Sequence, residues 1–163
     1  MQLAHSLIIT LLLANLGATI WFGINKDSTP AVAQTTKNST HELPSSVGPD
    51  VRQSLYEGFS EAFNSSDFDA LYNMLGPVAQ AEVSRETVDK EFKKLIKFFH
   101  SVKGGAYSHS ELVGSKGNTN IYVLNYSVKL PESSEFGTQG TLTITLAVQN
   151  DGYQVYGIRL DAG

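Results

Sequence analysis

Three tyrosines, Tyr122, Tyr126 and Tyr156, are the side chains of this sequence whose type and spacing best suit chemistry. Each falls on the side of an alternating segment that the pattern turns inward, where a phenol could donate a hydrogen bond to an enolate oxygen. Proton abstraction beside a carbonyl also needs an enclosed base, and no carboxylate shares that side. Asp69 and Glu111 are the nearest acidic candidates, and nothing in the sequence encloses either.

A structural interpretation of these tyrosines competes with the chemical one. Buried tyrosines generally find a hydrogen-bond partner, so the three can be core residues with hydroxyls at the rim. We favour this interpretation and predict no catalytic residue. Together with Tyr72, on a predicted helix, they remain candidates for lining a small-ligand site.

Metal and nucleic-acid chemistry have little support in the sequence. His100 and His109 lack a third ligand at a recognisable spacing, so we predict no metal and no cofactor. The absence of cysteine excludes disulfides, thiol nucleophiles and thiolate metal sites. With 12 basic and 16 acidic residues the net charge is −4, which argues against a nucleic-acid binder.

One predicted helix carries a basic stripe at spacing i, i+3, i+4 and i+7. It consists of Lys90, Lys93, Lys94 and Lys97. Such a stripe can face anionic lipid head groups or simply solvent. Asp89 and Glu91 are interleaved with it, which favours a solvated face.

The N-terminal residues 7–24, LIITLLLANLGATIWFGI, carry no charge. As a helix this run just spans the ~30 Å of a bilayer core, so we predict that residues 1–24 are a transmembrane anchor or a signal segment. Residues 31–33, Ala-Val-Ala, fit a signal peptidase site, but they lie far beyond the run. We therefore favour a retained anchor, with the folded domain outside the cytoplasm.

A polar linker and a folded domain follow the apolar run. Residues 25–47 are rich in Ser, Thr, Pro, Asn and Gln, which predicts a flexible tether. Residues 48–163 form the predicted domain, whose first part is helical. Two helices precede 76–77, a short helical turn covers 78–83, and an amphipathic helix runs from Ser84 to the Gly104-Gly105 pair.

Four strands follow, at residues 106–113, 120–130, 138–149 and 153–160, and their short connections make neighbours antiparallel. Three helices packed on one face of this curved sheet give an α+β fold. Strand alternation also predicts an uncharged outer face that suits a second copy, another protein or plain solvent. Its candidate interface residues are Ile121, Val123, Thr141, Thr143, Thr145 and Val155.

The order of helices and strands resembles the NTF2-like, or cystatin-like, superfamily over residues 49–160. The local likeness is an Asn-x-x-Asp-Phe-x-x-Leu-Tyr pattern that joins the first two helices. Here it is formed by Asn64, Asp67, Phe68, Leu71 and Tyr72. The resemblance implies the cone-shaped fold and, in the enzymes of the superfamily, a carboxylate and a hydrogen-bond donor inside the cone. This chain lacks the short strand or hairpin between the second helix and the long one, which argues against a deep, closed pocket.

We therefore predict a membrane-tethered, extracytoplasmic domain that acts as a non-catalytic binding or interaction module. Its expected partners are the membrane, through the N-terminal helix, and a second copy or another protein. A small ligand is possible and nucleic acid is not expected. The alternative is a small isomerase- or hydratase-like enzyme that uses an inward tyrosine and a nearby carboxylate.

The anchor prediction can be tested on protein purified from its native membrane. Intact-mass measurement should find a chain that still contains residues 7–24, because a retained anchor is not cleaved. A mature chain starting at Gln34 would instead show that the segment is a signal peptide.

Overall fold

The computed structural model describes residues 42–163, so the predicted segment 1–24 and linker residues 25–41 lie outside the described residues. The helices are α1 (Pro49–Ser65), α2 (Phe68–Asn73), α3 (Pro77–Glu82) and α4 (Arg85–Phe99). The strands are β1 (Gly104–Lys116), β2 (Thr119–Lys129), β3 (Gln139–Gln149) and β4 (Gly152–Ala162). In the described part of the chain, no helix is long and apolar enough to span a membrane.

The folded part begins earlier than the predicted boundary at residue 48. A 3-10 turn covers Ser45–Val47, and the Val47 side chain is 1% exposed within the core. Leu43 packs against the same core. The polar composition of this stretch concealed the two apolar side chains that bind it to the domain.

Local capping explains where the helices start. Pro49 and Pro77 occupy first-turn positions of α1 and α3, where a missing N–H costs nothing. Asp67 accepts a hydrogen bond from the Ala70 N–H at the start of α2, and Ser84 caps α4 similarly. The predicted short helical turn at 78–83 is the α-helix α3. The described residues therefore contain four α-helices, one more than the three predicted.

Helix α4 ends before the glycine pair that was expected to stop it. His100 has φ 62° and ψ −55°, and the Ser101 N–H donates to the Phe99 carbonyl at 2.7 Å. This is the rare γ-turn with positive φ, which reverses the chain abruptly. Gly105 instead lies in β1, where a Cβ atom would stand 2.8 Å from the Tyr56 ring, so a larger residue would push that ring away.

The sheet is an antiparallel meander in the order β1-β2-β3-β4, with the helices on its inner face. The inward sets predicted for β2 and β3 are confirmed, since every member is at most 5% exposed. They are Tyr122, Leu124, Tyr126 and Val128 on β2 with Leu130 directly after it, and Leu142, Ile144, Leu146 and Val148 on β3. The α+β architecture predicted from the sequence is confirmed.

The alternation fails in β4, and the prediction that Val155 faces outward is wrong. Val155 pairs with Leu146 and is 5% exposed in the core. Gly157 pairs with Thr145, which leaves Tyr156 as the extra residue of a β-bulge. A bulge shifts the alternation by one residue, so residues on its two sides follow different patterns.

Asn64 joins the end of α1 to the connection between α4 and β1. Its Nδ2 donates to the Val102 carbonyl at 2.8 Å, and the Val102 N–H donates to Asn64 Oδ1 at 2.7 Å. Val102 is 2% exposed, and its backbone polar groups need partners inside the fold. The first residue of the Asn-x-x-Asp-Phe pattern therefore has a structural role.

Replacing Asn64 should cost more stability than its exposed position suggests. We expect Asn64→Ala to lower the free energy of unfolding by about 2–3 kcal/mol, because both backbone groups of Val102 lose their partner. Asn73→Ala, at the exposed end of α2, should change it by less than about 0.5 kcal/mol. If both variants change the free energy of unfolding equally in urea melts, the two hydrogen bonds between Asn64 and Val102 do not stabilise the fold as stated.

Candidate functional site

Tyr126 is a core residue. Its side chain is 1% exposed, and its hydroxyl donates to the Arg52 carbonyl at 2.9 Å. The rings of Tyr56 and Tyr107 each lie with centroids 5.8 Å from its own. Burial raises the pKa of Tyr126 well above its usual value. The hydroxyl is thus already committed to the protein and is not presented to a ligand.

Tyr122 and Tyr72 have separate surroundings. Tyr122 is 5% exposed on β2, paired with Leu112 and Leu146. Tyr72 is half-buried in α2, and the guanidinium of Arg85 lies 5.2 Å from its ring centroid. These two predicted ligand-binding tyrosines therefore contact different neighbours, with Tyr122 in the core and Tyr72 near the helix surface.

Tyr156 is the predicted site residue that meets a carboxylate. Its hydroxyl donates to Glu82 Oε2 at 3.1 Å. Burial, followed by the hydrogen bond to Glu82, raises the pKa of Tyr156 to about 12. At neutral pH the phenol is therefore a proton donor and not a base. Glu82 itself is exposed, so the pair lies at the rim of the domain.

Glu82 was missed by the sequence analysis, which considered Asp69 and Glu111. Asp69 binds Arg85 at 2.6 Å, and Glu111 lies on the outer face of the sheet. The signal for Glu82 is its place in α3, the short helix that packs against β4. The Gly76 N–H also donates to the Val155 carbonyl at 2.7 Å, which holds the start of that helix beside Tyr156.

A row of polar side chains crosses all four strands on the outer face of the sheet. The strand register places His109, Asn125, Thr143 and Arg159 side by side. Thr143 Oγ1 donates to Asn125 Oδ1 at 3.3 Å, and Asn125 Nδ2 lies 3.4 Å from His109 Nε2. We call these four residues the polar row. It could not be found from the sequence, because the register between strands is not readable from one chain.

The His109 end of the polar row has a hydroxyl–imidazole–carboxylate arrangement. Ser108 Oγ lies 3.1 Å from His109 Nδ1, and His109 Nε2 lies 3.1 Å from Glu111 Oε1. The side chains of His109 and Glu111 are 52% and 54% exposed. Solvent screens such groups and supplies no enclosed oxyanion site, so this arrangement does not meet the needs of a serine nucleophile. Among residues 42–163, no cluster of three potential metal ligands occurs.

The polar row lies within a face whose centre is uncharged. Thr141, Thr145, Ile121 and Val123 are half-buried, and Thr143 is 8% exposed. Charged groups stand toward the edge strands, with Glu111 on β1 and an Arg159–Asp161 ion pair on β4. The structure thus brings five of the six predicted interface residues to one face, and Val155 is the exception.

The raised pKa of Tyr156 predicts a loss of stability at alkaline pH. The folded state keeps the phenolic proton until about pH 12, whereas the unfolded chain loses it near pH ~10. The stabilisation of the folded state that this pKa difference provides is complete below pH ~10 and disappears as pH rises through about 12. Melting temperatures of Tyr156→Phe should fall less over this range than those of Tyr153→Phe, whose side chain on the same strand is 39% exposed. An identical alkaline fall in both variants would refute the assignment.

Comparisons with known proteins bear on the fold alone. No protein-family model and no curated protein matches the chain. Among solved structures, the chain is similar to a candidate dehydratase from the NTF2-like family of Streptomyces avermitilis. The identity is 13%, the match covers 71% of this chain and 99% of that chain, and the TM-score is 0.43.

The chain is also similar to a candidate aromatic ring hydroxylase from Novosphingobium aromaticivorans. There the identity is 12%, the match covers 68% of this chain and 85% of that one, and the TM-score is 0.40. The activities named for these two proteins are not transferred to this chain. The described part of the chain has helices followed by a four-stranded antiparallel meander, the element order that the resemblance to the NTF2-like superfamily leads us to expect.

Proposed function

We propose that this domain is a non-catalytic interaction module that pairs with a second copy through the outer face of its sheet. The observation that carries the proposal is the difference between the two faces of the sheet. The inner face is filled by packed aliphatic and aromatic side chains, including Tyr126 and Tyr122. The outer face presents half-buried, uncharged residues and the polar row, and among residues 42–163 no helix packs on it.

Charge placement suits a symmetric pair. Glu111 is on β1 and Arg159 is on β4, while uncharged Asn125 and Thr143 lie between them. A two-fold axis parallel to the strands would set β1 of one copy over β4 of the other. Glu111 of each copy then lies toward the Arg159–Asp161 ion pair of the other, and Thr143 of each copy faces Asn125 of the other beside the axis, where their side chains can hydrogen-bond across the interface.

The size of the face is sufficient for a stable pair. Strands of about 11 residues are ~35 Å long, and four strands at ~4.8 Å spacing are ~15–20 Å wide. Such a face offers roughly 500–700 Å² on each copy. The total of about 1,000–1,400 Å² reaches the range of specific protein interfaces.

The location of the module is part of the proposal. The uncharged run at residues 7–24 and the polar linker after it support attachment to a membrane, with the domain held outside the cytoplasm. A tether also favours pairing, because it confines the copies to a surface and raises their effective concentration.

One observation favours an enzyme as the second candidate. Tyr156 and Glu82 form a donor–carboxylate pair at 3.1 Å, the combination that a small isomerase- or hydratase-like enzyme would use. The exposure of Glu82 speaks against it, because a base that removes a proton beside a carbonyl works best when it is shielded from water. A ligand bound at this pair would displace the Glu82 contact and change the pKa of Tyr156, which a tyrosine titration with ligand would detect.

Dimerisation can be tested with one charge at the centre of the face. Wild-type protein should sediment as a dimer at micromolar concentration, and Thr143→Lys should be monomeric because two like charges meet near the two-fold axis. Thr138→Lys introduces the same change in the exposed loop before β3 and should remain dimeric.

Thr145→Lys provides a second test of the face, since Thr143 is tightly packed and its replacement can disturb folding. Circular dichroism checks that each variant is folded. A monomeric wild type would refute the proposal, and a folded, dimeric Thr145→Lys protein would place the interface elsewhere.

A further inference from the structure

The exposed side of α4 carries a concentration of positive charge that the proposed pairing does not use. The helix buries Val88, Phe92, Leu95 and Phe99 on one side. Lys90, Lys93 and Lys97 are exposed on the other side, and we call these three residues the lysine face. From first to last they extend over about 10 Å along the helix axis.

Two of the three acidic residues of α4 pair with cations outside the lysine face. Asp89 accepts a hydrogen bond from Arg85 Nε at 2.7 Å. Glu91 is bound by Lys94 Nζ, also at 2.7 Å. Arg85 also binds Asp69 at 2.6 Å, and Glu86 is exposed four residues before Lys90, so the helix is not free of negative charge. None of these carboxylates, however, forms an ion pair with the lysine face.

The surroundings of the three lysines add no counter-charge within the described range 42–163. No carboxylate lies within ion-pair distance of Lys90, Lys93 or Lys97. The Lys93 ammonium lies 5.2 Å from the ring centroid of Phe68, and that of Lys97 lies 6.0 Å from the ring centroid of Phe98. Aromatic rings hold these ammonium groups without cancelling their charge.

We propose that the lysine face docks on an anionic lipid surface. A row of cations on one side of a helix matches a plane of lipid phosphates and carboxylates better than a single buried acidic group, because each lysine meets its own head group. Two arguments identify the partner: the positive charge of the lysine face, and the short distance that the linker allows between the domain and the membrane. This inference rests on the proposed attachment of residues 7–24 to a membrane, and it is independent of pairing through the sheet.

The reach follows from the length of chain between the apolar run and the domain. Residues 25–41 separate the run from the described part of the domain, in which Leu43 already packs against the core. If this segment is the flexible linker that its composition predicts, its average end-to-end distance is about 23 Å. The domain would therefore stay close to the bilayer surface, so that the lysine face can reach anionic head groups.

The strength of such docking can be bounded. A lysine close to an anionic membrane contributes about a fivefold gain in binding, the equivalent of ~1 kcal/mol. Three lysines then give up to about a hundredfold gain. For a tethered domain this gain increases the fraction of time that the lysine face is bound to lipid head groups. That fraction declines with salt concentration because the charges are screened.

The experiment uses the full chain mixed with two kinds of vesicle, phosphatidylcholine alone and phosphatidylcholine with phosphatidylserine. A water-soluble acylating reagent that does not cross membranes modifies exposed lysines, and mass spectrometry quantifies each site. We expect the lysine face to be modified at least fivefold more slowly on the phosphatidylserine vesicles. Lys103, Lys116 and Lys129, which are exposed on other elements, serve as internal references and should not change.

A matched pair of variants separates specific docking from overall charge. Replacing Lys90, Lys93 and Lys97 by Gln removes three charges from the face, and replacing Lys103, Lys116 and Lys129 removes the same number elsewhere. In a flotation assay at low salt, a chain without residues 1–41 should bind phosphatidylserine vesicles only if the lysine face is intact, provided circular dichroism shows that this chain is folded. The full chain provides the labelling result whether or not the shortened chain folds.

Three outcomes would overturn the inference. They are equal modification rates on both vesicles, protection that is unaffected by high salt, and protection that needs an added acidic protein instead of phosphatidylserine. If residues 7–24 do not anchor the chain, the full chain will fail to float with phosphatidylcholine vesicles. Protection on phosphatidylserine vesicles would still support docking in that case, so failure of the anchor and failure of docking can be told apart.

Discussion

The hydrogen-bonded pair between Asn64 and Val102 is the contact on which the arrangement of the two layers depends. The chain leaves the helices through a γ-turn at His100 and enters the sheet at Gly104, with few residues in which to change direction. Both backbone groups of Val102 are held by one side chain from the end of α1. This pair of hydrogen bonds therefore sets the start of β1, and through β1 the register of the strands that pair after it.

The same contact shows why the sequence pattern at the first helix junction is structural. Asn64 holds the sheet entry, Asp67 caps α2, and Leu71 is fully buried. Tyr72 supports Arg85 with its ring and accepts a hydrogen bond from Gln80 with its carbonyl. These contacts give the pattern a structural role, which agrees with a motif that specifies how helices join.

Periodicity predicted most of the fold because the elements with regular burial obey it. The inner faces of β2 and β3 and the buried side of α4 follow from spacing alone. Prediction failed at backbone irregularities, namely the γ-turn at His100 and the bulges at Ser108, Val113 and Tyr156. The bulges depend on pairing with a neighbouring strand, and none of these features leaves a signal in the local hydrophobic pattern. For the same reason the Tyr156–Glu82 pair and the polar row were not predicted, whereas the burial of Tyr122 and Tyr126 was.

The bulges have a further consequence for how this domain can associate. A sheet with two free edges invites strand-to-strand addition and aggregation. Edge strand β1 is interrupted by bulges at Ser108 and Val113, which disturb the regular ladder that an incoming strand would need. On β4 the bulge at Tyr156 does the same, and the Val155 carbonyl is occupied by Gly76. Endless growth through the edges is therefore disfavoured, whereas the proposed contact through a face would close after two molecules.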